Sequence, residues 1–394
     1  MINLIPRDLW EFRLEDLFSS FINQIIASAN NSPKNIYIDE LGNCLPVSSG
    51  RAALAVAIKS LALRPQARIG VPLFCCPVVF ETIKKTGGKP VFIDCDQDTY
   101  CLSIRDLEKK IKSLDCLLVV HMFGHAADMD GILDIASGIP VIEDCAQALG
   151  SKYAGKMLGS YGKVSIFSFR SGKYISAGEG GAIFSADPVM FNMCINNVHG
   201  LPKPTLTEEI KHIFTNYLKS CLRRRPLYGI IGRRIWYAAN KHGRIGREES
   251  LSIRKIYMSD YNLIIKRLKN INSMVLRQRN IADVYLRELR LDPEMLSWEK
   301  PKSYYNRIYF PIKFSSRKVR DEMAKALLEL NIDSMKYLDQ LATIARKYFG
   351  YDGGCQISED LAERTLCIPC YYRLKESEVE KIIKSINCCW SRFS

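Results

Sequence analysis

Between Arg68 and Asp144 four short apolar runs alternate with helix-forming runs. The apolar runs are IGVPLF, KPVFIDCD, CLLVVHMFG and IPVIED. VVFETIKKTG and SIRDLEKKIK separate the first three, and a short helix after Asp130 precedes the last. Strands and helices that alternate at this spacing build βαβ units, so this part predicts an α/β fold with a largely parallel sheet. In such sheets ligands sit beyond the carboxyl ends of the strands. The stretch Ile139–Ile183 places three polar features there. Its first strand ends on Asp144, with Gln147 just after it. A second apolar run, Val164 to Phe169, delivers Ser168 and, five residues later, Lys173, and Gly178-Glu179-Gly180-Gly181 closes the stretch. A buried carboxylate and an amine at one crevice suit a cofactor that needs a protonated ring nitrogen and a Schiff base, which is pyridoxal phosphate.

The rest of the chain leaves room for two domains in 394 residues. After Asp187 the alternation stops, and residues 188–290 read as mainly helical. From about 305 the pattern becomes α+β: RIYFPIKF, VRDEMAKALLELN, RTLCIPC and ESEVEKIIKSI. The predicted division is a large cofactor domain over 1–265 and a small α+β domain over 266–394. Residues 1–30 read as a helix with Leu17, Phe18, Phe21, Ile22, Ile25 and Ile26 at helical spacing, packed on the body or on a partner subunit. Ser48 or Ser49 is a natural N-cap for the Ala/Leu-rich helix that follows. Gly50 would let an anion approach its free backbone N–H groups.

No apolar run reaches the length of a membrane span, and the first residues lack the apolar core of a signal peptide. Fourteen cysteines without a regular framework read as reduced thiols, hence a cytoplasmic protein. The one CxxC, Cys367 to Cys370, has no second pair or nearby His and reads as small buried hydrophobes. His121 and His125 flank a strand end and read as loop-positioning residues, so no metal is expected.

The formal charge of +14 is unevenly placed. Residues 211–255 carry twelve Lys/Arg against two acids, Glu248 and Glu249, and so account for ten of the fourteen charges. Tyr217, Tyr228, Trp236 and several aliphatic residues are interleaved with them. Two readings stay open for this segment: a surface that meets an anionic membrane, or an insertion folded over the active-site mouth with arginines for a substrate diphosphate. Nucleic acid is a distant third, because the rest of the chain is nearly neutral.

Beyond these patterns, the chain resembles the DegT-type nucleotide-sugar aminotransferases of the fold-type I pyridoxal-phosphate enzymes. The resemblance runs from SSGRAAL through PLFCCPVVFETIKKTGGKPVFIDCDQDTY, HMFGHAADMDGI and VIEDCAQALGSKYAGKMLG. It continues through SIFSFRSGKYISAGEGGAI to RDEMAKALLELNI and TLCIPCYYRLKESEVEKII. It implies that Lys173 bonds covalently to pyridoxal phosphate and Asp144 pairs with the ring nitrogen. It further implies that Gln147 lies near the ring, that Ser168 with Gly50, Arg51 and Ala52 seats the phosphate, and that the closing glycines let backbone pass near the cofactor. Two positions depart from the family: Arg51 stands where many members have Thr, and Cys76 where many stack an aromatic on the ring. The implied reaction moves an amino group from glutamate to a keto-sugar on a nucleoside diphosphate, in a homodimer. The alternatives are a non-sugar ketone as acceptor and a sugar dehydratase, whose members carry His in place of Lys173. A third is a non-catalytic docking protein that retains the fold.

Overall fold

The computed structural model describes residues 3–26, 33–241 and 253–392. Positions 27–30 of the expected first helix, and Arg244, Arg247, Glu248 and Glu249 of the basic segment, lie outside them.

Eight strands form the main sheet, in the order 36–38, 42–47, 181–184, 164–168, 141–144, 116–120, 68–72, 89–93. The five strands from 164–168 to 89–93 run parallel. The strand 181–184 then turns back antiparallel to both 164–168 and 42–47. Cys116–Val120 and Val141–Asp144 are buried at every position, as strands covered on both faces must be. The carboxyl ends Pro72, Val120, Asp144 and Ser168 therefore share one edge. After 89–93 the chain crosses to the far side of 68–72 before forming 116–120, which puts the switch in strand order at this edge.

A three-stranded antiparallel sheet of 310–313, 365–368 and 335–336 builds the second layer. Helices Arg317–Glu329 and Glu376–Trp390 pack with it around a separate core. The helix Ile271–Glu288 joins the layers: Ile271 and Val275 belong to the core of the large sheet, Ile281 and Tyr285 to the second. The N-terminal residues run with this second layer, since Ile5 donates to Asn331 O at 2.9 Å and accepts from Asp333 N at 3.0 Å.

Cys367 and Cys370 are buried and unbridged, and fall in different cores. Burial lifts both thiols, Cys370 to about 12, so neither becomes a thiolate near neutral pH. The first helix, Leu14–Ile26, departs from expectation. Leu17, Asp16 and Ser20 face inward, while Phe18 and Ile22 point to solvent. Asp16 decides this rotation, because Arg267 and Lys266 hold it from the neighbouring helix at 2.8 and 3.1 Å.

Candidate active site

The end of the strand Val141–Asp144 leaves the Asp144 carboxylate buried, with a single hydrogen bond among the described residues, from Ala146 N at 2.9 Å. Burial raises its pKa, against the opposing pull of that N–H and of Lys173. Lys173 lies in the loop that follows the strand Val164–Ser168. Burial, reinforced by Arg170, lowers its amine to about 8, while Asp144 and Cys76 act the other way. The fold thus brings Asp144, Lys173 and Cys76 within electrostatic reach of one another.

Gln147 is fixed at both ends of its amide. Its Oε1 accepts from Phe123 N at 3.0 Å, and its Nε2 donates to Tyr337 Oη at 2.9 Å. Tyr337 follows the second-layer strand 335–336, and Asn306, between residues 303–304 and the strand 310–313, donates through Nδ2 to Gln147 O and Leu149 O at 2.9 Å each. The turn after Asp144 is therefore clamped by two segments distant in the chain. Neither partner is readable from sequence, because Tyr337 lies 190 residues and Asn306 159 residues from Gln147. The segment Arg7–Leu9 is a further omission: it lines a small cavity with Lys173, Tyr309 and Tyr371.

Ser168 meets the start of the helix Gly50–Ser60. A Cβ at Gly50 would lie 2.9 Å from Ser168 Cβ, so only glycine permits this approach. The helix N-terminus, with its positive dipole end, thereby faces a hydroxyl. Ala52 N is engaged, donating to the capping Ser49 Oγ at 3.1 Å, and the Arg51 side chain is exposed. Ser48 Oγ is buried with no hydrogen-bond partner among the described residues. These features, with the buried Asp144, fit a ligand that carries an anionic group and a basic ring nitrogen.

At the closing glycines, a Cβ at Gly181 would fall 2.5 Å from the Ser49 carbonyl carbon, and one at Gly178 would collide with Asn216. They allow loop to pack on loop. Phe74, two residues before Cys76, is committed elsewhere. It is fully buried against Tyr100, Phe123 and Tyr337, at centroid distances of 5.2, 6.1 and 6.3 Å, and the neighbouring Cys76 is exposed.

His121 positions its loop rather than a metal. Its Nδ1 accepts from Ala127 N at 3.2 Å, which places the proton on Nε2, facing Glu143 Oε2 at 3.1 Å. Glu143 also accepts from Gly159 N, Tyr161 N and Gly162 N at 2.9, 2.7 and 2.6 Å. Cys145 lies beside the pair, but these bonds already occupy the His and Glu atoms that could ligate an ion. Burial works to raise the Glu143 pKa, yet His121 and the backbone donors bring it below 4.5. Its contribution to stability is therefore complete above about pH 4.5 and declines as pH falls through the lowered value. Glu143→Gln should cost about 3 kcal/mol in urea unfolding at neutral pH, with the loss shrinking in acid.

Most described arginines of the basic segment are tied inward. Arg223 pairs with Asp8, Arg225 with Glu378, and Arg233 with Asp333 at 3.1 Å; Arg224 donates to Phe12 O. Tyr228, fully buried, donates to Asp333 as well. These residues brace the N-terminal residues against the second layer. Of the two readings, the insertion over the site mouth gains one contact, since Arg223 holds the Asp8 that borders Lys173.

A profile of the DegT/DnrJ/EryC1/StrS aminotransferase family matches residues 37–218 and 254–387. The chain belongs to that family. It is an aminotransferase, and its residues 1–36 and 219–253 fall outside the family match. It is 26% identical over 386 residues to GDP-perosamine synthase of Escherichia coli O157:H7, covering 93% of this chain and 94% of that one. It is 27% identical over 360 residues to UDP-N-acetyl-3-dehydro-alpha-D-glucosamine 3-aminotransferase of Acidithiobacillus ferrooxidans, covering 86% and 82%. A shorter match, 35% over 153 residues and 38% of this chain, is to L-glutamine:2-deoxy-scyllo-inosose aminotransferase of Streptomyces kanamyceticus, of which it covers 36%. Among solved structures, the aminotransferase TlmJ from Streptoalloteichus hindustanus superposes over the whole of both chains with a TM-score of 0.76 at 20% identity.

Proposed function

We propose that this aminotransferase uses pyridoxal phosphate to move an amino group from glutamate to a keto-sugar carried on a nucleoside diphosphate, and that it works as a homodimer. The observation that carries the reading is the buried Asp144 carboxylate set against the lowered amine of Lys173. The GDP- and UDP-linked relatives, which align over most of both chains, support the substrate class. A cytoplasmic location, peripheral to a membrane, belongs to the same proposal; no described helix is long and apolar enough to cross one.

Bound pyridoxal phosphate would supply an electron-accepting ring and a carbonyl carbon that exchanges amino groups. Asp144 would keep the ring nitrogen protonated, since a carboxylate held out of water favours a cation beside it. Lys173 Nζ would bind the cofactor and, once released, carry the proton between substrate carbon and cofactor, a task suited to an amine near 8. Ser168 Oγ and the first amides of the helix Gly50–Ser60 would hold the phosphate. Gln147 would bear on the ring, its amide fixed by Phe123 N and Tyr337. The exposed Arg51 would add charge at the rim rather than close contact.

The test begins with apoprotein and pyridoxal phosphate. A yellow absorbance that borohydride fixes to Lys173, located by peptide mass, is expected. A panel of GDP-, UDP- and dTDP-linked keto-sugars with glutamate, read by product mass, should yield an aminated nucleotide sugar. A second reading, amination of a cyclitol ketone, rests on the shorter match above, and the panel includes 2-deoxy-scyllo-inosose with glutamine. Product only from the latter would displace the nucleotide-sugar assignment.

A further inference from the structure

Residues outside the family match and the helix Leu206–Arg223, most of which lies inside it, come together on one side of the molecule and expose an unusual amount of apolar surface. In the helix Leu14–Ile26, Leu14, Phe18 and Ile22 recur every four residues and face solvent. The helix Leu206–Arg223 lies against it, with Phe21 and Phe214 in edge contact at 5.3 Å, and adds Phe214 and Leu218 to the exposed face. The inserted residues continue with Leu227, Ile230, Ile231 and Ile235. All nine side chains are between 42% and 63% exposed. Phe12 N donates to Ser220 Oγ at 3.0 Å, and Arg7 to Tyr237 Oη at 3.2 Å, so the N-terminal residues and the insertion are fastened together.

A monomeric protein rarely shows water so many large apolar side chains in neighbouring elements. The charges beside them select the occupant. Lys211 stands one turn before Phe214, Lys219 follows Leu218, and Arg234 lies between Ile231 and Ile235; all three are exposed. Their segment holds ten of the chain's fourteen net charges. A two-fold contact through this face would set those like charges against themselves. Nucleic acid would match the charge but not the aliphatic residues. A surface of anionic headgroups over acyl chains matches both.

We propose that this face, built by the helices Leu14–Ile26 and Leu206–Arg223 and the insertion after them, docks the enzyme onto an anionic phospholipid bilayer. The apolar side chains enter the headgroup boundary while the flanking bases meet lipid phosphates. Docking needs neither cofactor nor substrate.

Co-sedimentation of the full chain with phosphatidylglycerol-containing vesicles tests this. Wild type should pellet with them, pellet far less with pure phosphatidylcholine, and be released by salt. Lys211→Gln with Arg234→Gln should weaken binding on the order of 25-fold, about fivefold per base. Phe18→Glu with Leu218→Glu and Ile231→Glu should abolish it; all three positions are exposed, so far-ultraviolet circular dichroism and borohydride-fixed absorbance should match wild type. Wild type that stays in the supernatant at low salt overturns the proposal. Equal pelleting with phosphatidylcholine overturns the charge argument and the proposal with it. If wild type ignores vesicles and the triple variant alone has a smaller mass by light scattering, the face is an interface between copies.

Discussion

Lys173→Ala is expected to leave a folded protein whose amino transfer falls on the order of a thousandfold or more, as when a covalent catalyst is deleted. The variant should still take up pyridoxal phosphate through Ser168, Asp144 and the helix Gly50–Ser60, but borohydride should fix none of it. Wild-type apoprotein offers a readout that needs no turnover. Only the neutral amine attacks an aldehyde, and burial brings Lys173 to about 8. Covalent uptake of pyridoxal phosphate should therefore rise about tenfold per pH unit below 8 and level off above it. Wild-type turnover in the variant would end the assignment of Lys173. A rise that continued toward the 10.5 of an ordinary lysine would mean that the amine is not desolvated.

Asp144→Asn should slow single-turnover amino transfer from glutamate by on the order of 100- to 1,000-fold, the usual effect of removing one fixed charge from a reacting centre. The amide keeps the shape and the bond from Ala146 N but no longer favours a protonated ring. Stability should move the opposite way. Burial raises the folded pKa of Asp144 above 3.8, so its ionised form is disfavoured in the fold. The apoprotein accordingly loses stability as pH climbs through the range between the ordinary and the raised value. The Asn variant, which carries no charge there, should melt at the wild-type temperature or higher at neutral pH. A lower melting temperature with an unchanged rate would make Asp144 a structural residue.

The opposite signs of these two effects explain why Asp144 was legible in sequence. A carboxylate that ends a buried strand costs stability, and such a cost points to chemistry at the strand end. Lys173 was legible for a related reason, since an amine five residues past a buried strand falls at the same edge once the strands are parallel. Glu143 was not singled out, although it is the more deeply buried acid. Its three backbone donors come from Gly159, Tyr161 and Gly162, which show no polar pattern in sequence.

The sequence by itself determined the parallel sheet, through the alternation from Arg68 to Asp144, and the edge at which Asp144, Ser168 and Lys173 emerge. Both follow from local periodicity and strand direction, which short stretches carry. Only the tertiary structure decided how that edge is closed. Tyr337 reaches Gln147 from 190 residues away, and Asn306 holds the same turn from 159. The basic segment shows the same limit. Its composition displayed charge, but composition is silent about partners, and Asp8, Asp333 and Glu378 lie far from it along the chain. Pairing with them buried Arg223 and tied Arg225 and Arg233 to the body, while Leu227, Ile230, Ile231 and Ile235 face out. Which side of a helix meets solvent is set by what the other side finds to bind, and that depends on contacts distant in sequence.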